Sequence, residues 1–210
     1  MKRSIISLAI LFALAPFFGL AQDSTATFTS IEEALKNPDS VIRLDLSGQE
    51  LDFSLEALKK FKNVEYLSLK NDHLEQLPKE LFELKQLKVL DLSGNDFSQL
   101  PEEFSRLKNL EELYLNNEKS LDLTQTIDVL SKMPNLKSLH LENDKLKEFP
   151  ENIFKLDQLE YLYLNGNDLE EIPMGIQKMN QLKYLDLQSN PIPQSIQNTF
   201  VPEGNVLIRF

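Results

Sequence analysis

The chain has 210 residues, of which 41% are hydrophobic, with 13 Phe and only 6 Gly; this supports one modest packed domain rather than disorder. Its 33 Asp and Glu outweigh 22 Lys and Arg, for a formal net charge of −11, and so acidic a chain repels phosphate backbones, which argues against nucleic acid as a partner. With no Cys and two His, composition excludes disulfide frameworks, thiolate zinc sites and cysteine nucleophiles, and neither a metal nor a cofactor is expected.

Residues 1–21 read as a signal peptide. Met1-Lys2-Arg3 is a short basic start, Ile5 to Ala15 is nearly all apolar, and Gly19-Leu20-Ala21 ends in small residues at the positions a signal peptidase reads. Pro16 interrupts a 17-residue hydrophobic run that is short for a bilayer span of about 20 residues. Cleavage is therefore expected before Gln22, giving a secreted or periplasmic protein with no membrane span, and loss of Lys2 and Arg3 moves the net charge from −11 to −13. Residues 22–40 follow as a linker and N-terminal cap. Ser30-Ile31-Glu32-Glu33 has the pattern of a capping box and Asn37-Pro38 that of a helix stop, so Thr27 to Asn37 is expected to cover the first core layer.

From Val41 onward one unit recurs. Its starts, Val41, Val64, Leu87, Leu110, Leu136, Leu159 and Leu182, are spaced 23, 23, 23, 26, 23 and 23 residues apart. In every copy the fourth and sixth positions are leucine, from Leu44 and Leu46 to Leu185 and Leu187. The ninth position is Gln49, Asp72, Asn95, Glu118, Asp144, Asn167 or Asn190, and the eleventh is Leu51, Leu74, Phe97, Ser120, Leu146, Leu169 or Ile192. In the second half of the unit, Leu77-Pro78, Leu100-Pro101, Phe149-Pro150 and Ile172-Pro173 are followed by apolar residues three and six places after the proline. Repeat one lacks the dipeptide. Repeat four carries the three extra residues in a Thr124 to Met133 stretch whose Ile127, Leu130 and Met133 fit one helical face.

This pattern resembles the leucine-rich repeat, L-x-x-L-x-L-x-x-N-x-L, in the subclass with an LPxxIxxLxxL second half, over 41–192. The α/β fold expected is a curved solenoid of seven repeats, each a short strand in a parallel sheet on the concave face and a helical, 3-10 or extended return on the convex face. No copy can bury its leucines alone, so stacking supplies the core. The resemblance further implies a buried ladder of ninth-position asparagines, which Asn95, Asn167 and Asn190 match, whereas ionised carboxylates at Asp72, Glu118 and Asp144 can accept hydrogen bonds but not donate them. Residues 193–210 are expected to cap the other end, with Val206 to Phe210 as a last strand after Pro191, Pro193 and Pro202.

Alternation along a strand sends the third, fifth and seventh positions to the concave face. All five tyrosines fall there, and Tyr114, Tyr161, Tyr163 and Tyr184 cluster in repeats four to seven with His140, flanked by Asn116, Glu142, Asn165 and Gln188. Rigid aromatics among adaptable polar groups suit a recognition surface, although tyrosine also favours strands for its own sake. His140 beside Glu142 reads as a surface imidazole rather than half of a catalytic pair, since His73 lies three repeats away. Asp45 and Asp91 flank Ser68 about 10 Å apart, too far to share a metal's first shell. Neither a G-x-S-x-G element nor a phosphate-binding G-x-x-x-x-G-K-[ST] is present. The expectation is a non-enzymatic module that binds a protein or peptide ligand on its concave face. A glycan-binding surface protein and a scaffold assembling through its terminal strand are the alternatives.

Overall fold

The computed structural model describes residues 26–49, 55–118, 120–172, 174–200 and 206–210; the stretch read as a signal peptide lies outside them. Among the described residues nine strands form one parallel sheet in strict sequence order: β1 (Thr27–Phe28), β2 (Arg43–Asp45), β3 (Tyr66–Ser68), β4 (Val89–Asp91), β5 (Glu112–Tyr114), β6 (Ser138–His140), β7 (Tyr161–Tyr163), β8 (Tyr184–Asp186) and β9 (Leu207–Arg209). Each pairs with the next so that equivalent repeat positions face one another, as in Leu44↔Leu67 and Leu139↔Leu162. The three-residue insertion of repeat four leaves this register intact, because it is taken up in α2 (Leu123–Leu130), away from the strands. An α/β leucine-rich repeat solenoid is thus what the residues build.

The fourth- and sixth-position leucines are at most 1% exposed from Leu44 to Leu187 and form one continuous core. On the opposite side the return segments Lys79–Glu83, Glu102–Arg106 and Glu151–Lys155 are 3-10 turns that start after Pro78, Pro101 and Pro150. Proline holds extended backbone there without an orphaned N–H. At three residues per turn, positions three and six after the proline share one face, so Leu81 and Leu84, Phe104 and Leu107, and Ile153 and Leu156 close the core from the convex side. In α2 and the turn after it the same task falls to Ile127, Leu130 and Met133, each fully buried, and Asp122 caps the helix by accepting from the Gln125 amide at 3.0 Å.

Each strand leaves through a left-handed residue at the eighth position: Gly48, Asn71, Gly94, Asn117, Asn143, Gly166 and Ser189 all have φ between 57° and 73°. This turn aims the ninth side chain back under the strand ends. Asn95 donates Nδ2 to the carbonyls of Leu69 and Leu92 and accepts on Oδ1 from the Asp72 and Leu74 amides. Asn167 repeats this with Leu141, Leu164, Asp144 and Leu146, and Asn190 donates to Leu164 and Leu187 and accepts from Leu169. Gln49 instead turns its amide to the Thr29 carbonyl and so ties the first repeat to the N-terminal segment.

The ends differ from the sequence reading in two details. The N-terminal cap is not only helical, because Thr27 and Phe28 add a strand to the sheet before α1 (Ile31–Ala34) begins. The capping box is also half formed: Ser30 accepts from the Glu33 amide and its hydroxyl donates to Glu32 at 2.6 Å, while the Glu33 carboxylate accepts from Lys36. At the other end α3 (Gln194–Thr199) precedes β9, which pairs in parallel with β8 and packs Ile208 against the core.

Candidate functional site

Register alone brings Tyr114, His140 and Tyr163 side by side at the fifth positions of β5, β6 and β7. Their rings stack face to face, with centroids 3.9 Å apart for Tyr114 and His140 and 4.2 Å for His140 and Tyr163, at interplanar angles of 16° and 5°. Tyr184 continues the row at 5.3 Å in a tilted arrangement. Tyr161 faces Tyr184 across β7 and β8 at the third position. Asn116, Glu142, Asn165 and Gln188 flank the row, half-buried, at the seventh position. The structure therefore gathers all the candidate concave residues, and it leaves Tyr66 apart, three strands from Tyr163's neighbour His140, where Arg43 lies 4.0 Å above its ring.

The sequence reading of His140 as a surface imidazole is corrected. His140 is only 7% exposed, because the two tyrosine rings cover both of its faces. Its Nε2 lies 3.0 Å from Glu112 Oε1 and 3.2 Å from Ser138 Oγ, and its Nδ1 lies 3.3 Å from Glu142 Oε2. Tyr114 donates its hydroxyl to the same Glu112 oxygen at 2.8 Å, and Asn116 exchanges two hydrogen bonds with Glu142, at 2.9 Å from Nδ2 and 2.8 Å to Oδ1. Glu112 and Ser138 were not among the candidates. Their third-position column was visible in the sequence, but their burial beneath longer neighbours depends on rotamers that a column of letters does not carry.

Electrostatics follow from these contacts. Burial by itself would depress the His140 pKa, but the hydrogen bonds and charges of Glu112 and Glu142 outweigh it and hold the imidazole above its ordinary value. The carboxylates move the opposite way. Burial opposes ionisation of Glu112, yet the bonds from His140 and Tyr114 keep its carboxyl below the usual range, and the His140 bond does the same for Glu142. Desolvation raises the Tyr163 hydroxyl to about 12, so its phenol stays neutral beside an imidazole whose protonation the two carboxylates favour.

Ser138, His140 and Glu142 share the connectivity of a nucleophile, base and orienting acid. The arrangement does not offer that chemistry: Ser138 is 1% exposed, and Glu112 competes for the imidazole nitrogen that would have to take its proton. Among the described residues no group of three or more His, Cys, Asp or Glu could hold a metal ion. Nor is any described helix long and apolar enough to cross a membrane. His73, the other histidine, sits in a left-handed turn with Asp96 3.0 Å from its Nδ1, far from the row.

Comparison with known proteins agrees with this architecture. No curated protein sequence matches the chain. Among solved structures, a leucine-rich repeat protein of Leptospira interrogans is 30% identical with a TM-score of 0.60, over 82% of this chain and 50% of that one. An internalin of Listeria monocytogenes is 17% identical with a TM-score of 0.53, over 77% and 52%. A chain of the Drosophila Toll–Spatzle complex is 18% identical with a TM-score of 0.65, over 80% and 22%. These two likenesses are of fold, and the chain spans about half the length of the Leptospira and Listeria proteins. Residues 39–133 match the family described as leucine-rich repeat region and 134–192 the one described as leucine rich repeat, the same stretch over which the strands and ladder recur, and the chain belongs to the leucine-rich repeat family.

Proposed function

We propose that this chain is a non-enzymatic interaction module that binds a protein or peptide ligand on its concave face through the aromatic row of repeats four to seven. The observation that carries this is the prepaid order of the row: Tyr114, His140 and Tyr163 are already stacked and hydrogen-bonded, so a ligand meets rigid amphipathic edges at low entropic cost. Half-buried Asn116, Glu142, Asn165 and Gln188 supply adaptable polar contacts beside it. Stacking also favours a protein or peptide over a glycan, because a sugar packs on open aromatic faces and here the rings cover one another. The leader read at residues 1–21 makes the proposed site of action outside the cytoplasm, with Gln22 as the first mature residue.

The test is capture of partners by the exported chain, followed by calorimetry. Tyr163→Ala is expected to cost about 2 kcal/mol or more of binding, as buried aromatics do at interface centres. Tyr66→Ala, with the same chemistry outside the row, is expected to cost little. Equal small losses, from variants that melt like wild type, would sink the row as a binding centre and leave the tyrosines as strand stabilisers. A glycan array separates the alternative, and N-terminal sequencing of exported protein checks Gln22.

A further inference from the structure

The strand-exit ladder holds three acids that the concave site does not use, Asp72 and Glu118 buried and Asp144 half-buried. At the ninth position, where Asn95, Asn167 and Asn190 each give an amide N–H to leucine carbonyls of their own and the preceding repeat, stand Asp72, Glu118 and Asp144. Each accepts from the backbone, with the Gln49, Asn95 and Glu118 amides as donors in turn. Their other oxygens, Asp72 Oδ2, Glu118 Oε2 and Asp144 Oδ2, are buried without a partner. They belong to the repeat position from which the asparagines donate, and there a carboxylate has no donor to offer; a carboxylic acid has one. Glu118 and Asp144 are moreover consecutive rungs, since Asp144 accepts the Glu118 amide at 2.7 Å. Two adjacent buried carboxyls disfavour double ionisation.

We infer that Glu118 and Asp144 are held as carboxylic acids, each donating its proton to a strand-exit carbonyl as the asparagines donate an amide, and that the junction of repeats four and five is a proton-dependent joint in the solenoid. Burial raises Glu118 to about 8, with the charges of Asp144 and Asp96 adding to it and the Asn95 and Gly94 amides opposing; burial raises Asp144 to about 7, with Glu142 adding and the Glu118 and Asn117 amides opposing. The other charged groups beside the pair are Lys145, Lys147 and Glu148, which line a 240 Å³ cavity with Leu121, Leu123 and Leu146 and are exposed to solvent. Glu118 and Asp144 line the same cavity, which brings solvent to the edge of the joint. The joint follows Asn116 and Glu142, the hydrogen-bonded pair that flanks His140, by two residues.

The sign follows from linkage. Both folded pKa values lie above the unfolded carboxyl range of about 4, so the stability these groups contribute is fully present below that range and is lost as pH rises through about 7 and 8. Denaturation midpoints of the full chain, measured from about pH 5 to about pH 9, should fall for wild type. Glu118→Gln with Asp144→Asn supplies permanent donors, and this double variant should lose most of that fall and exceed wild type at the alkaline end. His140 titrates in both proteins, so its contribution cancels in the comparison. Amide exchange of wild type gives the local readout: at alkaline pH the Asn95 and Glu118 amides, served by the two acids, should lose protection at least tenfold beyond the intrinsic base-catalysed rise. The Leu169 amide, served by Asn190, should follow the intrinsic rise alone. Equal pH slopes in wild type and double variant would overturn the inference; if the double variant does not fold, uniform exchange along the wild-type ladder would do so. Recovery of the wild-type alkaline midpoint on adding calcium chloride would also overturn it, by showing that the pair takes a cation as carboxylates.

Discussion

His140 shows how one residue can be set by neighbours that are distant in sequence. Between two phenol rings and two carboxylates it is buried, and its protonated form is favoured only while Glu112 and Glu142 remain paired with it. His140→Phe preserves the stack but leaves the buried Glu112 without its imidazole donor, so it is expected to destabilise the chain by about 1 to 3 kcal/mol in a denaturant melt. The raised folded pKa also fixes a direction: stability from the pairing is complete below about pH 6.5 and is lost as pH climbs through the folded value. Following the ring protons by NMR against pH reads that value directly, and a midpoint below that of a free histidine would refute the pairing. At the core, Leu139 is 1% exposed between strands that cannot close over a gap, so Leu139→Ala is expected to cost about 2 to 5 kcal/mol. Exposed Lys62→Ala should stay within about 0.5 kcal/mol, and indistinguishable melts would mean the strand register is wrong.

At the level of elements, the repeat tolerates a change of return segment because strand and ladder carry its geometry. Repeat four replaces a 3-10 turn with α2 yet keeps Leu113 opposite Leu139, since Ile127, Leu130 and Met133 reproduce the buried face. Asp122→Ala removes the side-chain cap of α2 and is expected to cost about 1 kcal/mol, seen as a lower melting midpoint without loss of the sheet signal in circular dichroism. Asn95→Ala is the harsher change. It strips two carbonyls and two amides of partners inside the core, for a loss on the order of 3 kcal/mol or more, and a melt within about 1 kcal/mol of wild type would contradict the ladder's role.

Taken whole, the molecule is a one-dimensional stack in which each layer touches only its neighbours. End layers have one neighbour and short elements: β1 contributes two residues and α1 four. Amide protection is therefore expected to rise from β1 and β9 toward β4 to β7, and hydrogen exchange under native conditions measures it. Equal protection along the whole sheet would show instead that the stack opens only as one unit.

Much of this was legible in the residues alone. A 23-residue period with leucine at two alternating positions can bury itself in one way, so register, core face and the concave columns follow from local chemistry and repetition. The clustering of Tyr114, Tyr161, Tyr163 and Tyr184 with His140 follows too, because parallel in-register pairing maps equal repeat positions onto adjacent places. What only the tertiary structure decided is how those side chains share space across residues 16 to 28 apart in the chain: Glu112 beneath His140, the ring stack, the strand added by Thr27 and Phe28, and the unpartnered oxygens of Glu118 and Asp144. Burial and hydrogen bonding at these sites are set by lateral distances of a few ångströms and by rotamers packed against other layers, and neither quantity is encoded in the period of the sequence.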